Sequence, residues 1–278
     1  MKPINETTFR DLLDKAISEP GILNAAYRAF YGYSVGNQML AMLQCQEREI
    51  QIGPIGTFMA WKSKGRFVRK GEKAIVLCMP VTCKRKADAS ASANDTTASD
   101  ANTTDGCFTR FVHRPNWFVM SQTDGADVVE PTIPDWDVTR ALVALDVVEI
   151  PFDLTDGNCQ GYARDRQIAV SPLAGLPAKT RFHELAHIVL GHTAESETLS
   201  YNDLTPRSLR EVEAEAVAMV CLDALDLPGA ADCRGYIQSW NAGRDNEAIP
   251  ERSAQKIFKA ANEILKAGRA DDKAETVQ

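Results

Sequence analysis

KTRFHELAHIVLGH, from Lys179 to His192, is the stretch on which the reading of the fold turns. On a helix, side chains four residues apart lie one above the other on the same face. His183 and His187 therefore aim two imidazoles at one point, at a spacing that chelates a divalent ion. Glu184 stands beside that point without being a ligand. It is placed to take a proton from water there and pass it to a leaving amine. Leu185, Ala186, Ile188, Val189 and Leu190 are the apolar surroundings that a buried helix needs, and three of the four histidines of the chain fall between His183 and His192. The same five-residue pattern also occurs in unrelated helices. Here the spacing predicts a metal-assisted hydrolytic site of the metallopeptidase kind on a helix from Lys179 to Leu190. Two neutral nitrogens and a carboxylate suit zinc, with another divalent ion such as manganese as the alternative.

The carboxylate is expected on a second long helix, Arg207 to Leu225. There REVEAEAVAM, Arg210 to Met219, carries Glu211, Glu213 and Glu215. Glu211 and Glu215 share a face, and Glu213 points elsewhere. Glu211 is the expected ligand, and Glu215 the acceptor that orients a ligand histidine. A solvated acidic face is the alternative. His192 falls at the wrong offset to be a third histidine ligand. It reads as part of the helix C-terminal cap or as a hydrogen-bond donor to a transition state. Tyr162 and Tyr201 offer hydroxyls to an oxyanion, with ordinary packing as the alternative. The strand carrying Tyr162 is a candidate edge for pairing with an extended peptide.

Outward from these helices, 278 residues suit two domains of ordinary size. The expected fold class is α+β: an N-terminal domain of helices and strands over residues 1–127, then a mainly helical domain with a small antiparallel sheet over 128–278. Predicted helices cover most of the first 46 residues, FMAWKSKG, Val138 to Leu145 and Glu251 to Ala267. Predicted strands are Lys73 to Val81, Cys107 to Met120 with a break near Pro115, Val147 to Phe152, and Gly161 to Val170. Ala87 to Gly106 contains only small and polar residues and reads as a disordered insert between paired strands. No run of apolar residues is long enough for a membrane span. The N-terminus lacks the pattern of a secretory signal. The seven cysteines form no C-x-x-C pair. Free thiols in a cytoplasmic protein are the expectation.

Charge is unevenly spread. Through Glu130 there are sixteen Lys and Arg against fourteen Asp and Glu; beyond it, fifteen against twenty-four. Lys62 to Lys86 holds nine basic residues and one acid, Glu72. In WKSKGRFVRKGEKAIV, Lys62, Lys64, Arg66, Arg69, Lys70 and Lys73 are interleaved with Trp61 and Phe67, and Arg110, Arg114 and Trp117 repeat the mixture downstream. Cations hold phosphates and aromatic faces stack unpaired bases. With no helix-turn-helix or finger pattern in view, single-stranded nucleic acid is favoured over duplex reading. A solvated basic face over an aromatic core is the alternative.

Three runs then carry a resemblance: YSVGNQMLAMLQ (Tyr33 to Gln44), W-x-x-x-G-R-x-V-R-K-G-E-K-A-I (Trp61 to Ile75) and WFVMSQTDG (Trp117 to Gly125). They resemble the N-terminal domain of ArdC-type antirestriction proteins. HELAH followed by E-x-x-A-E, Glu211 to Glu215, resembles the zincin-like domain that follows it in that family. The resemblance spans residues 7 to 225. It implies a single-stranded DNA-binding domain joined to a metallopeptidase domain, carriage on mobile plasmids, and protection of incoming DNA from host restriction. By the same resemblance His183, His187 and Glu211 are ligands, Glu184 is the base, and Trp61 to Lys73 belongs to the DNA-binding surface. An unidentified protein, such as a restriction component, is the expected substrate. The alternatives are a protein that coats single strands with a structural metal site, or a regulator-cleaving peptidase of the ImmA/IrrE kind.

Overall fold

The computed structural model describes residues 4–84, 107–128, 132–154, 158–193, 206–242 and 248–270. The insert expected at 87–106 and Tyr201 lie outside them. The protein is α+β. It opens with helices α1 (Phe9–Ser18), α2 (Ile22–Ala29) and α3 (Val35–Glu47). There follow β1 (Ile55–Thr57), α4 (Phe58–Ser63), β2 (Arg66–Val68), β3 (Ile75–Lys84), β4 (Cys107–Val119) and β5 (Thr123–Gly125). The remaining elements are α5 (Val138–Ala144), β6 (Val148–Glu149), β7 (Gly161–Arg164), β8 (Gln167–Val170), α6 (Pro177–Val189), α7 (Arg207–Ala224), α8 (Ala230–Ala242) and α9 (Glu251–Ala267).

The chain divides into two units: Met1–Asn5 with Leu43–Val128, and Glu6–Met42 with Val129–Gln278. In this division α1, α2 and the start of α3 group with Val129–Gln278, whereas the sequence reading has them in residues 1–127. Their anchoring is polar as well as apolar. Asp223 on α7 accepts from the backbone N–H of Gly21 and Leu23 at 3.2 and 3.3 Å, capping the start of α2. It also pairs with Arg234 of α8 at 2.9 Å. Glu251 of α9 accepts from the N–H of Phe9 and Arg10 at 3.1 and 2.8 Å, covering the start of α1.

In the C-terminal unit α7 is the axis. It is buried without interruption from Val212 to Ala224 and packs against α2, α6, α8 and α9. A helix apolar on all sides belongs inside a helical core. The α9 residues Ile257, Phe258, Ala261, Ile264 and Leu265 close one side of it. The small sheet has the order β6-β8-β7. β7 and β8 are an antiparallel hairpin, where the sequence reading has one strand from Gly161 to Val170. Asp165, at φ 53°, makes the turn. β6 adds to β8 in parallel, so this sheet is mixed.

In the N-terminal unit β4 lies between β1 and β3, both antiparallel to it, and β2 pairs with β5. Pro115 does not break β4. The ladder takes it opposite Val76, and the register shift falls between Ile75 and Val76. Gln44 acts as an extra strand residue. Its side-chain amide donates to Val76 O and accepts from Val76 N, both at 2.8 Å.

Candidate functional site

α6 and α7 pack side by side in the C-terminal unit and face His183 and His187 with Glu211. The two Nε2 atoms are 3.1 Å apart. Glu211 Oε2 lies 3.6 Å from one and 3.7 Å from the other. A tetrahedral ion with bonds near 2.1 Å holds its ligand atoms about 3.3–3.4 Å apart. The three donors fit a divalent cation on that measure, with no ring turned away. The surrounding charge agrees. Burial opposes charging His183, but Glu211 and Glu215 outweigh it and lift its pKa to about 9. The two imidazoles hold the Glu211 carboxyl far below the usual carboxylate range. Positive charge is what this pocket favours.

Outside the three donors stand groups that orient them. Glu215, 5% exposed, lies 2.9 Å from His183 Nδ1 and pairs with Lys179 at 2.9 Å. Burial raises its pKa, but the His183 and Lys179 contacts prevail and bring it to about 2. It therefore stays an acceptor. His187 Nδ1 lies 3.1 Å from His192 Nδ1, and His192 Nε2 lies 3.1 Å from Glu213 Oε2. The sequence reading turned Glu213 away from the site. The structure brings it to the site through His192.

Glu184 is buried on α6, and that burial raises its pKa while the two histidines act against the rise. It lies under β7, where Gly161 leaves room. A Cβ on Gly161 would meet Thr180 Cγ2 at 2.5 Å, Ala169 O at 2.9 Å and Glu184 Cγ at 3.3 Å. β7 is the edge of its sheet next to α6. The Tyr162 hydroxyl on it donates to Asp153 at 2.6 Å. Tyr236 on α8, which sequence reasoning passed over, is half-exposed. Its pKa is raised by burial and by the Glu211 and Glu215 carboxylates.

The expected nucleic-acid residues are less uniform. Trp61 and Trp117 are only 2% and 6% exposed, and the Trp61 indole donates to Phe118 O at 2.8 Å. Both rings belong to the core, which corrects the expectation that they stack bases. Arg66 is committed to β5, donating to Thr123 Oγ1 and O at 2.8 Å and to Ala126 O at 2.5 Å. Arg69 pairs with Glu72 at 2.8 Å and Asp124 at 3.5 Å. Lys62, Lys64, Lys70, Lys73 and Arg114 are exposed. For Arg110 only the backbone, in β4 opposite Val81, is described. Among the described residues of this unit the exposed aromatics are Phe58, Phe67 and Phe111. Only Phe67 lies in the basic run, and exposure cannot be read from composition.

Comparison with known proteins follows the same two parts. Residues 15–108 match the family model of the N-terminal domain of anti-restriction factor ArdC. No curated protein sequence matches the chain. Two crystal structures of antirestriction ArdC protein from the R388 plasmid are similar in fold. The Mn(II)-bound structure has a TM-score of 0.52 at 18% identity, covering 95% of this chain and 98% of that one. The metal-free structure has a TM-score of 0.50 at 20% identity, covering 94% of each. Residues 15–108 are thus similar to the N-terminal domain of ArdC, and along nearly its whole length the chain shares the fold of the antirestriction ArdC protein.

Proposed function

We propose that this chain is an ArdC-type antirestriction protein, with a metal-dependent peptidase site on α6 and α7 and a single-stranded DNA-binding surface on its N-terminal unit. The observation that carries the first half is the triangle of His183 Nε2, His187 Nε2 and Glu211 Oε2, with sides of 3.1, 3.6 and 3.7 Å, beside a buried Glu184. A divalent ion held there, zinc or manganese, supplies Lewis acidity to water and to a scissile carbonyl. The Mn(II) in the ArdC relative supports a divalent occupant.

The protein's own groups do the rest. His183 and His187 present neutral lone pairs, and Glu211 adds one negative charge. Glu184 accepts a proton on its carboxylate as water attacks the carbonyl carbon, then delivers it to the departing amine nitrogen as the C–N bond breaks. Its raised pKa brings it nearer the range in which one carboxyl both takes and returns a proton. The β7 edge, next to this helix, supports pairing with an extended peptide.

The test uses the purified full chain. It should take up close to one equivalent of Zn2+ or Mn2+ and cleave a peptide or protein substrate. Glu184→Gln should retain the metal and lose cleavage by at least about a hundredfold. Equal cleavage by Glu184→Gln would sink the mechanism. The DNA half rests on the exposed lysines and Phe67. Its readout is binding of a labelled single-stranded oligonucleotide, weakening steeply with salt.

A further inference from the structure

We infer that His192 and Glu213 form a positioning relay for His187, fixing the proton on the far side of that ring and thereby setting how tightly the site holds its cation. The inference rests on the metal reading of α6 and α7. It follows from counting protons. A neutral imidazole has one N–H and one lone pair. For His187 Nε2 to donate a lone pair to a cation, the ring proton must sit on Nδ1. That atom is 3.1 Å from His192 Nδ1, which must then be the acceptor. The His192 proton is thereby placed on Nε2, 3.1 Å from Glu213 Oε2, a carboxylate oxygen that accepts it. The reverse assignment fails at both ends. It puts the His187 proton where the cation binds and turns a bare His192 nitrogen toward a carboxylate.

The backbone is shaped to hold this arrangement. Gly191, at φ 76°, closes α6 in the left-handed conformation. Gly191 N–H then bonds Ile188 O at 3.0 Å, and His192 N–H bonds His187 O at 2.8 Å. This pair of bonds is the Schellman ending of a helix, and it folds the residue after the glycine back over the last turn. Here that residue is His192, and the turn it covers is that of His187. Arg210 holds the His192 carbonyl at 3.4 Å, and Thr193 bonds Asp165 O at 2.9 Å. Glu213 is 1% exposed, and among the described residues His192 is its hydrogen-bond partner. A buried carboxylate without a lysine or arginine is poorly accounted for by stability alone. It is accounted for as the end of the relay. Both ligand rings thus find an acceptor on α7: His183 reaches Glu215 directly, and His187, one turn further along α6, reaches Glu213 through His192.

The metal-free full chain, titrated with Zn2+ in a calorimeter, tests this alongside thermal melting of the same metal-free samples. Outer partners of metal-binding histidines are worth about 10–100-fold in affinity, so His192→Phe and Glu213→Leu should weaken Zn2+ by that factor, while His192→Gln stays within about threefold. The glutamine carries one acceptor and one donor at a spacing close to that of the two ring nitrogens. Glu213→Gln, nearly isosteric, keeps an acceptor of lower charge and should fall between, which covers the case in which the leucine variant does not fold. A role in packing alone would lower the melting temperature of all four variants and leave Zn2+ affinity at the native value. That result would overturn the relay. Failure of the native chain to bind Zn2+ at all would remove the metal reading and the relay with it.

Discussion

Gly161 shows how one missing methyl sets the site. β7 passes so close to α6 that a Cβ there would stand 2.5 Å from Thr180 and 2.9 Å from the Ala169 carbonyl, with Glu184 Cγ just beyond. Gly161→Ala should cost about 1–3 kcal/mol in stability by overpacking. It should also lower turnover more than metal affinity, because Glu184 is displaced and the ligand helices are not. Denaturant unfolding and a metal titration on the same variant check both parts. At this scale the sequence spoke clearly only where geometry is local. His183, Glu184 and His187 lie within five residues of one helix, and Glu211 and Glu215 follow the same four-residue rule. The His192–Glu213 contact obeys no such rule. It needs a helix-ending turn on α6 and a particular facing of α7, neither of which a spacing records. Trp61 was misread for a related reason: an aromatic among cations looks like a stacking platform until its burial is known.

Elements are held by a few buried polar clamps. Asp223 caps α2 and pairs with Arg234, which also donates to Ala16 O at 3.4 Å. Asp223→Ala leaves a buried guanidinium unpaired and two N–H groups without an acceptor. Chemical denaturation should show a loss of about 3–5 kcal/mol. Glu72 is the corresponding clamp between strands. It accepts from Gln122 at 2.9 Å and from Arg69, and these bonds, Gln122 first, lower its pKa against a smaller effect of burial. A carboxyl depressed in the folded state stabilises fully above its unfolded pKa, about 4.3, and that contribution disappears as pH falls through the folded value. Protection of the β2 and β5 amides, taken relative to intrinsic exchange at each pH, should therefore fall below about pH 4 in the native protein. Glu72→Gln should exchange faster already at neutral pH and respond less to acid. Most elements were legible because their apolar periods are long. α8 was not, since AADCRGYIQSWNA buries only Ala230, Cys233, Arg234 and Ile237 and carries Gly235 in its middle. The β7–β8 hairpin was hidden because Ala-Arg-Asp-Arg lacks a glycine to mark its turn.

For the whole molecule, a net charge of −7 sits over an N-terminal half with a small basic excess, and the runs that resemble ArdC proteins need a second reading there. Gln44, Trp61, Arg66, Glu72, Gln122 and Thr123, all within those runs, bond to one another or to nearby backbone. Those side chains are scaffold. What remains outward is the side chains of Lys62, Lys64, Lys70 and Lys73 with Phe67, although Lys64 also stands over the Trp61 ring at 5.6 Å and Lys73 lends its carbonyl to Gln122 at 3.0 Å. If they hold phosphates, each contact releases counterions, and log K against log salt has a slope of about −0.7 per phosphate neutralised on a single strand. Changing all four lysines to glutamine should flatten that slope by about 2–3 and weaken binding at low salt. Arg66→Gln should instead reduce the folded fraction and leave the slope of the remaining folded protein near native. Neither change should alter Zn2+ affinity, and Glu184→Gln should alter neither DNA slope nor affinity. Native salt dependence in the four-lysine variant would move the proposed DNA surface elsewhere on the chain. Loss of metal affinity in that variant would show that the proposed DNA surface and the proposed metal site are coupled.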